Sequence, residues 1–343
     1  MINDNYLDTR THPLDMDVKT LLKSSAFMMT LALVVALITN FSGAFPGKVL
    51  NADIRSTLTV ITLATMLTIS LSRIPLTNLN PVKYRKSVFR SVLLGLVISS
   101  IIPLIGYLLL KDTEYGDQAM GLVFIAATPF AASVAPLSFI LGGDMEHATR
   151  GTIVVYIVAL AWIPFIVWAT LGKVVDMTNV FITVMELIAI PLILSRFLTK
   201  LRINRDFMAI FLNCCIFFLV WLSVGSTAFK GDAWIFIAFI IIAALRSFGL
   251  GNGVEFAEKK MGIPWKQRVS DILMTSYKNK GIAIALCMAV LGPVGLAPVA
   301  MVAIATSILV EIMWVAFMDS VLFSRKRMER EIALEGGNVE KTE

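Results

Sequence analysis

Apolar windows of roughly 20 residues recur along the chain between short polar connections, and such windows are candidate membrane helices. Five charge-free windows occupy the first half: Ser24 to Phe45, Ser56 to Ser72, Ser91 to Leu110, Gln118 to Gly143 and Gly151 to Gly172. Five more follow, and most carry a charge. They are Met177 to Ser195 with Glu186, Phe207 to Phe229, Ala233 to Val254 with Arg246, Ile272 to about Leu291 with Lys278 and Lys280, and Val299 to Phe323 with Glu311 and Asp319. The pattern predicts an all-α polytopic membrane protein with ten transmembrane helices. Composition agrees, because 57% apolar and 16% charged residues exceed what one soluble core can hide.

The polar segments orient the spans. With the N-terminus in the cytoplasm, 22 of the 30 Lys and Arg residues fall inside: Arg10, Lys19, Lys23; Arg73, Lys83, Arg85, Lys86, Arg90; Arg150; Arg196, Lys200, Arg202, Arg205; Lys259, Lys260, Lys266, Arg268; and Arg325, Lys326, Arg327, Arg330, Lys341. Only Lys48, Arg55, Lys111, Lys173 and Lys230 fall outside, which satisfies the positive-inside rule and predicts a cell-membrane protein with both termini cytoplasmic. The net charge of +6 is then a topology signal and calls for no nucleic-acid partner. Residues 1–20 lack the basic, apolar and small-residue sequence of a signal peptide, so the first span is expected to be retained. The predicted organisation is a segment at 1–20, a transporter domain at 21–323 and a cytoplasmic tail at 324–343.

Five spans followed by five make the second half enter the membrane from the opposite face. If the halves are repeats (about 21–172 and 177–323), they are inverted, and a site is expected where corresponding spans are interrupted. The fourth span contains Pro129 and Pro136, which remove backbone donors and obstruct the helix. The ninth contains Ser276-Tyr277-Lys278-Asn279-Lys280-Gly281. Two ammonium groups at bilayer depth must face water, a carboxylate or broken backbone. The alternative is a simple proline kink with lysines snorkelling to an interface.

These residues carry a resemblance. Pro129 to Asp144, with Ser133-Val134 and Gly142-Gly143-Asp144, resembles the fourth-span signature of the bile acid:sodium symporter family, and Lys278-Asn279-Lys280-Gly281-Ile-Ala resembles its ninth-span Gln-Asn-x-Gly-Leu-Ala. Arg85-Lys86, Pro103 and Pro191 also fall where the family places similar features, and the similarity runs over about residues 20 to 325. It implies a core domain of spans three to five and eight to ten, with spans four and nine discontinuous and crossing. A panel domain of spans one, two, six and seven completes the fold.

The resemblance further implies substrate and ion sites around Ser133, Val134, Pro136, Ser138, Met274, Ser276, Lys278, Asn279, Lys280, Gly281 and Glu311. The family's sodium ligands fall here on Ile98, Val134, Met274 and Lys278, with only Ser133 keeping an oxygen. Apolar groups and an ammonium cannot ligate a hard cation, so sodium independence or proton linkage is expected. The implied function is alternating-access transport of a small anionic organic solute across the lipid bilayer. An arsenite permease of the same superfamily is the runner-up, although its expected fourth-span cysteine is absent. A non-transporting anion or lipid binder is the reading from another class.

Other residues add less. Glu311 and Glu186 are candidate proton carriers or lysine partners, and Arg246 reads more as a topology anchor than a ligand. Gly249, Gly251 and Gly253 are expected to end or bend the eighth helix. Asp144, Glu146, His147 and Arg150 form either a solvated turn or a cytoplasmic gate. Cys214, Cys215 and Cys287 lack metal or redox spacing and read as packing residues. With His12 and His147 the only histidines, no Ser-His-Asp set, metal site or cofactor motif is visible, and an enzyme is not expected.

Overall fold

The structure is a computed structural model that describes residues 18–72, 84–199, 204–229 and 232–339. Residues 1–17, with His12, and the topology residues Arg10, Arg73, Lys83, Lys200, Arg202, Lys230 and Lys341 lie outside the described residues. The protein is all-helical, with 82% helix and no strand among the described residues.

In chain order the helices are α1 (Val18–Lys23), α2 (Ser25–Phe41), α3 (Ala52–Ser72), α4 (Arg85–Leu110), α5 (Gly116–Ala127), α6 (Val134–Ile140) and α7 (Met145–Leu171). They continue as α8 (Met177–Leu198), α9 (Arg205–Gly225), α10 (Ala233–Lys260), α11 (Trp265–Ser276), α12 (Lys280–Leu291), α13 (Ala297–Leu322) and α14 (Arg325–Val339). Seven of these are long and apolar enough to cross a membrane, namely α3, α4, α7, α8, α9, α10 and α13. Three shorter apolar stretches are Phe27–Phe41, α5 and α12.

The helices pack as neighbours in pairs: α2 along α9, α3 along α8, α4 along α5 and α7, and α13 along α5 and α10. Helix α3 also lies against α12, joining the first pairs to the remainder. Four helices contain π stretches, at Leu93–Ile98, Met185–Ala189, Leu245–Gly249 and Met318–Leu322. A π stretch displaces the backbone hydrogen-bond ladder, and two of these lie beside the charged centre described below.

The break between α5 and α6 comes from one proline. Thr128 precedes Pro129 and is forced to extended backbone (φ −75°, ψ 149°), which ends α5. Pro136, expected to obstruct the span as well, instead sits in the first turn of α6, where its missing N–H has no helical acceptor to lose. Between α11 and α12, Tyr277 leaves the helix (φ −118°, ψ 89°) and Asn279 starts the next one, its side chain accepting from the Ile282 N–H at 3.0 Å.

One expectation is narrowed. Gly249, Gly251 and Gly253 do not end the eighth helix, because α10 runs through them to Lys260. Gly251 serves instead to admit the Trp314 ring, which the Cβ of any other residue would strike. Helix α14 folds back onto the ends of α10 and α11 at Lys259 and Trp265.

This docking is ionic. Arg268 (3% exposed side chain) bonds Glu331 at 2.8 Å and Glu255 at 3.2 Å, Arg327 reaches Glu255 at 2.6 Å, and Lys259 pairs with Glu331. Burial pushes the Glu331 carboxyl up, but hydrogen bonds from Lys259 and Arg268 outweigh it and bring the pKa to about 2 from an ordinary 4.5. A depressed folded-state pKa contributes to docking above about pH 4.5 and loses that contribution as pH falls toward about 2. A spin label on Ala333→Cys, with native cysteines removed, should therefore be immobile at neutral pH and gain mobility across that acid window. Glu331→Ala should make the label mobile already at neutral pH, and an immobile label there would refute the ionic account of docking.

Candidate functional site

The two breaks meet. Residues 129–131 and 277–279 run antiparallel, with the Ala131 N–H donating to Tyr277 O at 3.0 Å and the Asn279 N–H donating to Pro129 O at 2.9 Å. Each break thus satisfies backbone groups that the other strands at bilayer depth. Phe130, fully buried, lays its ring on Gly95 of α4, where an added Cβ would come within 2.6 Å of the ring. Only glycine permits that approach. The Tyr156 hydroxyl donates to Phe130 O at 3.2 Å and accepts from the Asn279 amide at 2.7 Å, tying α7 to both breaks.

Lys278 is 1% exposed and has no carboxylate partner among the described residues. Its ammonium lies 2.6 Å from Thr128 O, 3.2 Å from Ala126 O and 3.4 Å from both Gly95 O and Ser100 Oγ. Ala126 and Thr128 present carbonyls at the C-terminal end of α5, the negative end of its dipole. Gly95 lies in the π stretch of α4, and Ser100 donates to Ala126 O at 2.5 Å. Four neutral oxygens thus surround the buried Lys278 Nζ.

A second cluster lies beside it. Glu311 Oε2 receives Arg246 Nη2 at 2.7 Å and Lys280 Nζ at 2.8 Å, and all three side chains are at most 8% exposed. Glu311 Oε1 has no hydrogen-bond partner among the described residues. Arg246, lifted out of register by the π stretch of α10, also donates to Ser276 O at 3.0 Å and Ser247 Oγ at 2.8 Å. The Ser276 hydroxyl accepts from Trp314 Nε1 at 2.8 Å. With Lys278, three cations and one carboxylate share this region.

The structure brings Ser276, Lys278, Asn279, Lys280 and Glu311 together. Gly281 lies at the start of α12, where an added Cβ would come within 2.7 Å of a Leu63 methyl of α3. Ser133 stands at the N-terminal end of α6 with an exposed side chain, as does Pro136, while Val134 and Met274 are fully buried packing residues. Ser138, expected at the crossing, instead bonds Ser270 at 2.6 Å, six residues before Ser276 in α11 and so about 9 Å along the helix. Lys280 does not snorkel outward, because Glu311 offers a partner inside. Arg246 is no topology anchor, since its guanidinium is buried and paired. Glu186 is exposed on α8 and takes no part.

Four contributors escaped the sequence: Gly95, Ser100, Ala126 and Thr128. Three of them act through carbonyls, which any residue type supplies; only the Ser99-Ser100 pair inside an apolar span was a readable signal.

At the end of the bundle where α14 docks, residues 144–150 are largely partnered, with Glu146 exposed. Asp144 caps α7 by accepting from the His147 N–H at 2.9 Å, and Arg150 stacks over the Tyr84 ring at 4.1 Å. His147 (2% exposed) bonds Asp271 at 2.8 Å and Ser87 at 2.6 Å. A Ser-His-Asp chain therefore does form, contrary to the sequence expectation, because three helices bring distant residues together. Asp271 also holds Arg90 at 2.6 Å, which in turn bonds Glu258 at 2.6 Å. The set is a charge clamp joining α4, α7, α10 and α11. No group of three metal-ligating side chains occurs among the described residues.

A family model described as the sodium bile acid symporter family matches residues 55–247, more than half of the 343-residue chain. No curated protein matches it. The match spans the four oxygens of the cage and Arg246, and it ends before Lys278. The multi-pass helical architecture and this match together place the chain in the sodium bile acid symporter family, as a membrane transporter.

Proposed function

We propose that this chain is a ten-span secondary transporter of a small organic anion that works without sodium, with the Lys278 ammonium doing the structural work of a bound cation. The observation that carries the proposal is the cage of Gly95 O, Ser100 Oγ, Ala126 O and Thr128 O around Lys278 Nζ. Neutral carbonyl and hydroxyl oxygens are the ligands a hard monovalent cation takes, and here a side chain fills their centre. Met274 and Val134, both fully buried, supply no oxygen that a mobile ion could add.

In this reading the spans form two inverted five-span repeats, about 21–172 and 177–323, in the cell membrane with both termini cytoplasmic. Spans three to five and eight to ten act as the core, which rocks against a panel of spans one, two, six and seven. The pairing of α2 with α9 and α3 with α8 supports that division. The excess of two positive charges over Glu311 near the crossing favours an anionic solute. Sodium or proton exchange through Lys278 is not required for the cycle; the fixed charge keeps the broken helix ends together in every state.

Two outcomes are expected. Solute uptake or counterflow into vesicles should proceed equally in choline and sodium buffers, whereas strict sodium dependence would end the proposal. Lys278→Met should lose stability, at about 1–3 kcal/mol for each oxygen left without a donor, together with transport; an unchanged variant would return Lys278 to a packing role.

Glu311→Gln should be severely destabilised, by about 3–5 kcal/mol, because it leaves buried cations without their carboxylate. Adding Lys280→Met to that variant should recover part of the loss, and thermal melting of the single and double variants measures it. No recovery in the double variant would mean that Lys280 and Glu311 do not interact in the folded protein.

A further inference from the structure

The charge clamp at Arg90 does not balance. The guanidinium of Arg90 is shared by two carboxylates, Glu258 on its Nη2 at 2.6 Å and Asp271 on its Nε at 2.6 Å, with side chains 4% and 0% exposed. Neighbouring nitrogens of one planar fork hold the two carboxylates side by side. The other three buried glutamates are treated differently, each lying against two cations or more: Glu255 against Arg268 and Arg327, Glu311 against Arg246 and Lys280, and Glu331 against Lys259 and Arg268. The remaining charges on the helices around the clamp are already matched or solvated. Arg150 of α7 pairs with Glu146, while Arg85 and Lys86 of α4, Lys260 of α10 and Lys266 of α11 are exposed. His147 is satisfied as a neutral imidazole, its Nε2–H donating to Asp271 Oδ1 at 2.8 Å and its Nδ1 accepting from the Ser87 hydroxyl at 2.6 Å. Two buried carboxylates beside a single cation leave one negative charge over.

We propose that Glu258 is a proton-binding site: its carboxyl holds one exchangeable proton beside the Asp271 carboxylate, and loss of that proton loosens the hold of α10 on α4 and α11. Two carboxylates that share one site resist ionising together. The distribution of partners assigns the proton to Glu258. Asp271 has a donor at each oxygen, whereas Glu258 Oε2 is shielded from solvent and has no hydrogen-bond partner among the described residues. Arg90, whose side chain is 22% exposed, reaches the surface and gives water a route to the pair. Deprotonation sets a second negative charge beside Asp271 on α11, and the same helix ends at Ser276, whose carbonyl holds Arg246 at the crossing. The site thus makes the helix that reaches the crossing responsive to protons, without any part played by Lys278.

The test is an infrared titration of the full chain in nanodiscs between about pH 6 and about pH 9, the range that buried carboxyls reach. The wild type should show the carbonyl stretch of one protonated carboxylic acid at the lower pH and lose it as pH rises. Glu258→Gln, which mimics the protonated carboxyl, should fold and lack that band. Asp271→Asn leaves Arg90 to Glu258 alone, so the band should disappear across the whole range. Glu255→Gln and His147→Gln should both keep it. Glu331, with a pKa of about 2, stays ionised throughout.

Thermal melting supplies the second readout. A folded state that keeps a proton the unfolded chain has released loses stability as pH rises, by up to about tenfold in the folding constant per pH unit for one proton. The wild type should show this loss and Glu258→Gln should not. Absence of the acid band in the wild type, or its persistence in Glu258→Gln, would overturn the proposal. A melting transition lost in His147→Gln but kept in Glu258→Gln would also overturn it, by placing the proton on the imidazole. Strict sodium dependence of uptake would end the transport reading above and leave this titration untouched.

Discussion

The Lys278 ammonium and the oxygens around it are the constraint from which the centre of this protein follows. Breaking two helices at bilayer depth leaves carbonyls with no water to satisfy them. The antiparallel pairing of residues 129–131 with 277–279 settles two of those groups, but the carbonyls at the end of α5 still point at one another. A cation is the direct solution to converging carbonyl dipoles, and Lys278 supplies one that cannot diffuse away. The π stretch of α4, the Phe130 ring on Gly95 and the hydroxyl of Ser100 then read as parts of one device that shapes the cage.

Fixing a charge at that depth affects its neighbours. Lys280 and Arg246 converge on a single Glu311 oxygen, so the centre holds more positive than negative charge. The end of the bundle at Arg90 solves the opposite problem, with Asp271 and Glu258 sharing Arg90. Helix α11 connects the two, carrying Asp271 near the clamp and Ser276 at the crossing. A movement of the Asp271 end of α11 must therefore disturb either the clamp or the contacts of Arg246 with Ser276 O.

Much of this was legible in the amino-acid sequence where steric or solvation rules are local. Pro129 announces a helix break because it removes a backbone donor and obstructs the helix, and the polar run from Ser276 to Gly281 announces another. Intramembrane charges announced a polar centre. The partners of those charges were not legible: Arg246 looked like an anchor and Lys280 like a snorkelling side chain until Glu311 was placed between them. Ser138 was assigned to the crossing from its position in a motif, and helical rise carries it to Ser270 instead. The cage itself is made mostly of carbonyls freed by backbone irregularities, which no side-chain pattern records.

The most direct test of the account is a measurement of sodium binding by the purified protein. Isothermal titration calorimetry of the wild type with sodium chloride, against choline chloride as the reference, should show no saturable sodium binding, while Lys278→Gln, which removes the tethered charge and restores an oxygen, should acquire it. Saturable sodium binding by the wild-type protein would contradict the claim that Lys278 occupies the cation's place.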